Sequence, residues 1–474
     1  MIGPELADIK LLWPELVLVA TALGLILSAS RIRKGLRAST VTLVAGCASI
    51  LVYRWPLAEG PRAGFENMIV VDGYSQFFKV LVSSALILIV LLSARRVETD
   101  NVRAGEYYAL LLLASVGMMF AVSSTDLIPL YLGLELTTIC SYILVGTTVE
   151  KRISNEAATK YFLLSAFTSA LLLYGIALIY GMAGSTSFEA VASFLSDTEG
   201  ENSKLILVAI GLIVAGLAFK IAAVPFHSWA PDAYEGASAP IAAFLATASK
   251  AAGLAVLGRI CISAFAEEAH LLSLILATMA TLSIIVGSVI ALSQTNMKRL
   301  LAYSSISHAG YALLGLLPGT PEGVSATMTY VFVYVFMTLG AFGVVTALGR
   351  RGERIDGYEG LARQQPVTAL LMLIFLLSLT GIPPTGGFIA KFGVILSALN
   401  AGYFALAVLA VACSVISAFV YLRVAVIMYM KAPQVEETSS YPLMVSTALL
   451  VSALVTVIGG ILPGVLNFWE AVPQ

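Results

Sequence analysis

The chain has 474 residues, of which 59% are hydrophobic and only 12% charged, with a formal net charge of −1. Soluble domains carry about 25% charged residues, so the composition excludes an ordinary water-soluble protein, and the near-neutral balance argues against a nucleic-acid surface. The four cysteines (Cys47, Cys140, Cys261, Cys413) stand far apart inside apolar segments, which excludes a CxxC pair, an iron–sulfur motif and a disulfide framework.

A hydrocarbon core of roughly 30 Å is crossed by about 20 apolar residues of helix. Such stretches recur at 11–29, 37–54, 72–93, 106–122, 125–148, 157–182, 205–230, 239–264, 271–293, 298–317, 324–348, 366–399, 402–430 and 441–465. They predict an all-α polytopic membrane protein of about fourteen spans. Glu5, Asp8 and Lys10 precede the first stretch, so it reads as a retained helix and not as a signal peptide. The odd-numbered connections hold Arg31, Arg33, Lys34, Arg95, Arg96, Lys151, Arg152, Lys298, Arg299, Arg350, Arg351 and Arg354. The N-terminus and the even-numbered ones hold only Lys10, Arg54, Arg62 and Lys204. Positive-inside orientation then puts both termini outside the cytoplasm. The longest outer connection, 183–204, is acidic (Glu189, Asp197, Glu199, Glu201) and can form a short amphipathic helix on Phe188, Val191 and Leu195.

Two spans read as broken. The seventh contains Pro225 and, six residues on, Pro231; the twelfth contains Gly381, Pro383, Pro384, Gly386 and Gly387. Proline removes a donor, and backbone freed at membrane depth needs protein or water partners. Broken helices at matching places in two halves point to a transport site. The chain divides accordingly into one membrane unit, 1–474, with three N-terminal helices in 1–104, candidate repeats over 105–265 (spans four to eight) and 266–430 (spans nine to thirteen), and a last helix in 431–474.

Charges inside these spans are the strongest functional signal, because each costs about 2.5–3.5 kcal/mol at a helix centre and by default marks an ion or proton path. Glu135 shares a helix face with Tyr131, Thr138 and Tyr142; a packing carboxylate locked to a cation is the plainer reading. Lys220 lies sixteen residues past Lys204, about 24 Å along the helix, too deep to snorkel outward. Lys250 sits midway along span eight among Pro240, Ala243, Thr247 and Gly253, a small-residue face that permits close packing. His308 shares a face with Ser304 and Tyr311, and Tyr330, Tyr334 and Thr338 form a stripe on span eleven; a hydrogen-bonded core and aromatic packing are their plainer readings. Lys391 follows the Pro-Pro break nine residues before Asn400, where snorkelling is easier. Lys79, Arg259 and Arg423 read as snorkelling side chains, Asp72 and Asp126 as outer-surface helix starts, and His227 as a residue of the seventh-span break without an indicated role.

Titratable groups of this kind suit proton movement. At about 4 Å and an effective dielectric near 20, an ion pair is worth about 4 kcal/mol, so opening and closing a Glu135–Lys220 pair changes the lysine's hold on its proton. Moving one charge through 100 mV takes about 2.3 kcal/mol, within that range. A chain Lys220, Lys250, His308, Lys391 joined by water would carry the proton laterally.

The stretches LYLGLELTTICSYILVG (130–146), NEAATKYFLLSAFTSALLLYGIALIYG (155–181), FKIAAVPFHSWAPDAYEGA (219–237), MKRLLAYSSISHAGYALLG (297–315) and GIPPTGGFIAKF (381–392) resemble the antiporter-like membrane subunits of the proton-pumping NADH–quinone oxidoreductase, respiratory complex I, and the second favours their N type. The resemblance implies fourteen helices, two inverted five-helix repeats, broken helices seven and twelve, and proton translocation. It assigns the fifth-helix glutamate to Glu135 and the seventh-, eighth- and twelfth-helix lysines to Lys220, Lys250 and Lys391; lysine at 391 departs from the M type. It further implies a bacterial inner-membrane protein that is part of a translocase, with other membrane-arm and peripheral-arm subunits as partners. Flavin, iron–sulfur clusters and quinone are expected in those partners, and neither cofactor nor metal in this chain. A sodium(potassium)/proton antiporter subunit and the membrane arm of a hydrogenase-type complex compete with this reading. Sodium prefers oxygen ligands, and the interior offers few carboxylates beyond Glu135. An inert scaffold sits badly with four costly buried charges.

Overall fold

The computed structural model describes residues 6–28, 35–53, 61–99, 102–197, 203–433 and 441–468. Glu5, Arg31, Arg33, Lys34, Arg54, Glu199 and Glu201 of the sequence reading lie outside the described residues. Among the described residues, ten helices are long and apolar enough to cross a membrane. Trp13–Leu27, Gly35–Tyr53, Met297–Leu316 and the two-piece Pro366–Thr380/Gly386–Asn400 bring the passes to the fourteen expected. The amphipathic helix is present at Phe188–Asp197, with Phe188, Val191 and Leu195 as its buried face.

Local chemistry starts and stops these helices. The Asp126 carboxylate accepts from the Ile128 amide at 2.8 Å to open span five, Leu127–Val145. Asn296 does the same for the amides of Lys298 and Arg299 in span ten, Met297–Leu316. Such caps satisfy amides that have no partner within the helix. Span eight, Ala239–Ile262, is wholly enclosed. It contains a π-turn, Leu245–Ser249, directly before Lys250, which its composition does not announce. Unpredicted as well is a small hairpin, Arg62–Gly64 paired with Ile69–Val71.

Both breaks are present, and both are hydrogen-bonded. Span seven runs Ser203–Ile221, turns at Ala222 with φ 54°, and resumes as Trp229–Gly236. The freed Val224 amide donates to Ser283 Oγ of span nine at 2.9 Å, and the Trp229 indole donates to the Phe219 carbonyl at 2.9 Å. Span twelve stops at Gly381, φ 87°, and resumes at Gly386, whose neighbour Gly387 donates its amide to Ser378 Oγ at 3.1 Å. A peptide bond in each break is cis, Val224–Pro225 and Pro383–Pro384. Irregular backbone survives at depth because protein groups complete its hydrogen bonds.

Three side chains expected to snorkel have protein partners. Lys79 is completely buried and lies 2.7 Å from Glu15 Oε1 of span one. Arg259 makes two 2.9 Å hydrogen bonds to Asp72 and stacks 4.9 Å over the Tyr74 ring. Arg423 donates to the Leu292 and Gln294 carbonyls at 2.8 and 2.9 Å. Each is held instead by an anion or by helix-end carbonyls. Asp126 is likewise buried, because its carboxylate also accepts from Thr186 at 2.8 Å.

Candidate functional site

The enclosed centre of the bundle brings together the five residues singled out from the sequence. Lys220, the penultimate residue of the first half of span seven, donates to Glu135 Oε1 at 3.0 Å and to Thr138 Oγ1 at 2.6 Å. Glu135 and Thr138 are one turn apart on span five, so a single helix face supplies both acceptors. The lysine is buried while the Glu135 side chain remains 22% exposed. The pair therefore reaches from the interior to the protein surface.

Span eight meets span seven at this level. A Cβ added at Gly253 would lie 2.7 Å from Ile221 Cγ2 and 3.6 Å from Lys220 Cβ, so the absent side chain is what lets the two lysine-bearing helices touch. Lys250, one turn before Gly253, has no carboxylate partner among the described residues. Its ammonium donates to Ser305 Oγ at 2.6 Å and to the Ser305 carbonyl at 2.9 Å. Ser305 in turn lies 3.4 Å from the Tyr234 hydroxyl and three residues before His308 on span ten.

His308 is buried, with Nδ1 2.6 Å from the Tyr330 hydroxyl and its ring packed near Tyr334 and Tyr311. Tyr311 leads onward: Lys391 Nζ sits 4.7 Å over its ring. Lys391 does not snorkel. It is buried, donating to the Thr380 carbonyl at 2.9 Å and to Ser414 Oγ at 3.2 Å. Its stem lies over Gly381, where an added Cβ would meet Lys391 Cδ at 2.9 Å; the positive φ and the covering lysine both require glycine there.

Several contacts were not foreseen. Ser304, expected beside His308, turns to the Tyr421 hydroxyl of span thirteen at 2.5 Å. Ser305, Ser414 and the Thr380 carbonyl are direct lysine partners, yet lone serines in apolar helices carry no distinctive pattern. Tyr142 packs edge-to-face against Phe162 and does not join the Glu135 pair. His227 is half-buried in the seventh-span break, with no hydrogen-bond partner at Nδ1.

Polar openings lie at both ends of the bundle. On the side of the odd-numbered connections, a pocket of about 270 Å³ is lined by Arg96, Lys151, Glu235, Lys298, Arg350 and Glu353. Beside it Arg299 bridges Asp232 and Glu235, each at 2.8 Å. On the opposite side, a crevice of about 710 Å³ has His270, Glu322, Ser397 and Asn400 in its wall. Among the described residues, no three His, Cys, Asp or Glu side chains are grouped to hold a metal ion. The arrangement can hold, pass and release protons through nitrogen bases and hydroxyls.

Residues 124–417 match the family model described as NADH:quinone oxidoreductase/Mrp antiporter, TM. The chain is 42% identical over 459 residues to NADH-quinone oxidoreductase subunit N 2 of Rhizobium meliloti (strain 1021), covering 95% of this chain and 94% of that one. It is 42% identical over 488 residues to NADH-quinone oxidoreductase subunit N of Desulfovibrio desulfuricans, covering 98% and 97%. Among solved structures, a chain of respiratory complex I from Thermus thermophilus superposes with a TM-score of 0.82 at 33% identity, covering 97% of this chain and all of that one. A chain of the Mrp complex from Dietzia shares the fold at 20% identity, with a TM-score of 0.84 over 97% and 96% of the two chains.

Proposed function

Because the chain belongs to the NADH:quinone oxidoreductase/Mrp antiporter transmembrane family, we propose that its buried line of Glu135, Lys220, Lys250, His308 and Lys391 is the path by which it moves protons. It is a proton-translocating membrane-arm subunit of an NADH–quinone oxidoreductase, a multi-pass membrane protein that works with the other subunits of that complex. Redox chemistry belongs to those partners in this reading: flavin, iron–sulfur clusters and quinone sit in them, and this chain carries no redox centre.

The observation that carries the assignment is the Glu135–Lys220 contact of 3.0 Å joined, through the Gly253 crossing, to Lys250 and its serine partner. Opening that contact changes how firmly Lys220 holds its proton, and a proton displaced there can pass to Lys250, His308 and Lys391 in turn. The units 105–265 and 266–430 then act as two related halves, each with a broken helix as its fourth member and a lysine beside the break. Basic connections face the cytoplasm of a bacterial cell, both termini lie on the other side of the inner membrane, and the cationic pocket around Lys298 is on the uptake side.

Sodium/proton antiport is the less favoured reading. A sodium ion needs several oxygen ligands, and this line contains one carboxylate among four nitrogen bases. The test uses the whole complex in proteoliposomes. Lys250→Gln is expected to lower proton pumping about a hundredfold while NADH oxidation by a water-soluble acceptor stays at the native rate. Native pumping in that variant would remove Lys250 from the path.

A further inference from the structure

Span fourteen, Leu443–Ile461, belongs to neither candidate repeat and carries no charged side chain, so the proton path leaves it without a part. Its last turn nevertheless bears on the twelfth-span break. A Cβ added at Gly460 would collide with the Pro384 carbonyl and come within 2.5 Å of the Thr385 carbonyl carbon. One added at Gly386, where span twelve resumes, would lie 3.1 Å from the Thr456 carbonyl. Main chain therefore rests on main chain, Thr456–Gly460 against Pro384–Gly386. The bearing surface is itself tied down. Beyond Ile461, the buried Leu466 offers its carbonyl to Thr329 Oγ1 of span eleven at 2.9 Å. Phe468 packs on Phe77 of span three and Phe332 of span eleven, with ring centroids 4.6 and 5.3 Å apart.

The fit of this break matters to Lys391. The lysine stands on the resumed half, Gly386–Asn400, yet donates to the carbonyl of Thr380, the last residue of the stopped half, Pro366–Thr380. Its 2.9 Å contact thus straddles the break, and the length of that contact follows the separation of the two halves. A displacement of about 0.5 Å would carry it beyond the usual range of an N–H···O bond. The halves have no slack between them, because a Cβ added at Gly387 would collide with the Ser378 carbonyl. Pressure on Pro384 and Thr385 must therefore move backbone. Span seven is arranged otherwise: Lys220 finds its acceptors on span five, not across its own break.

We propose that Gly460 is a positioning residue for Lys391: by letting span fourteen bear directly on Pro384 and Thr385, it sets the gap between the halves of span twelve and with it the Lys391–Thr380 contact. The proposal rests on the reading that Lys391 lies on the proton path. It gives the last helix, which holds no titratable group, a defined part in pumping.

The test compares Gly460→Ala, Lys391→Gln and their combination in the whole complex reconstituted in proteoliposomes, with protons pumped per NADH oxidised as the readout. Gly464→Ala serves as the control, since a Cβ there would meet nothing within 4 Å. Gly460→Ala is expected to pump about tenfold less and Gly464→Ala at the native level. Added to Lys391→Gln, Gly460→Ala is expected to change the remaining pumping by less than about twofold, because both substitutions act on one contact. Native pumping in Gly460→Ala would overturn the proposal. So would a further tenfold loss in the combination, which would mark a general packing role. If Gly460→Ala does not assemble, Gly386→Ala takes its place in the same cycle; its Cβ would meet the Thr456 carbonyl and Val333 Cγ1 at 3.1 Å each, a tighter fit that neighbours can accommodate. Lys391→Gln alone separates the two levels. Its native pumping would take Lys391 off the path, whereas its failure beside a normal Gly460→Ala pump would sink only the role of Gly460.

Discussion

The two broken spans hold their lysines in different company. In span seven, Lys220 faces a carboxylate, Glu135, and that carboxylate is partly open to the protein surface. In span twelve, Lys391 faces a carbonyl, a serine hydroxyl and a tyrosine ring, all neutral. An anion that can approach or withdraw changes a lysine's proton affinity by an amount that neutral groups cannot match. On the proposed path, the first site is the one an anion switches, and the second is filled and emptied by its neighbours along the line.

The contrast can be broken most decisively at the lysines. Lys220→Gln should lower pumping about a hundredfold, measured as quenching of a pH-sensitive dye in proteoliposomes; a native signal would leave the first site without a function. Glu135→Gln makes the first site resemble the second. Pumping should fall about tenfold with assembly intact, and an unaffected rate would show that the carboxylate is packing alone.

A stability comparison comes next. Glu15–Lys79 is a carboxylate–ammonium pair like Glu135–Lys220, but it is sealed on all sides. Removing one member of such a pair strands the other and costs about 3–5 kcal/mol. Lys79→Met should therefore lower the thermal midpoint of the purified complex, while Glu15→Leu/Lys79→Met together should recover much of the loss. No recovery would mean that Lys79 serves in some other way.

The smallest effect belongs to the exposed pair Arg354–Asp356, whose closest contact is 2.8 Å. The hydrogen bond from Arg354 holds the Asp356 carboxyl below its ordinary value of 3.8. A lowered carboxyl contributes stability that is present above its unfolded value and lost as pH falls through the folded one. Asp356→Asn should shift the midpoint by less than about 1 °C at neutral pH, with the difference vanishing in acid. A larger shift at pH 7 would show that even surface pairs matter in this fold.

Much of this architecture was legible because the bilayer imposes a simple rule on composition. Fourteen apolar stretches, two Pro/Gly breaks and an amphipathic Phe188–Val191–Leu195 face each had one physical reading. The Glu135–Lys220 pair was legible for the same reason: Lys220 was too deep to snorkel outward, and Glu135 lay on a face of polar neighbours. Lys79 misled because depth was judged along its own helix, while its partner Glu15 comes from a span 64 positions earlier in the chain. The π-turn before Lys250 left no mark in residue type, since Leu-Ala-Thr-Ala-Ser suits an ordinary helix. Such features depend on which neighbour presses against a helix, and periodicity does not record that.

At the Gly253 crossing, the spacing between the first two ammonium-bearing helices is set where the Ile221 Cγ2 methyl packs directly against the glycine, with no side chain on the Gly253 side. Rotamer fluctuations of the lysines can redirect the ammonium groups there, but they cannot stretch the separation of their anchoring points. Even a methyl at this place would act as a wedge, lengthening one hop while leaving every titratable group in the protein untouched.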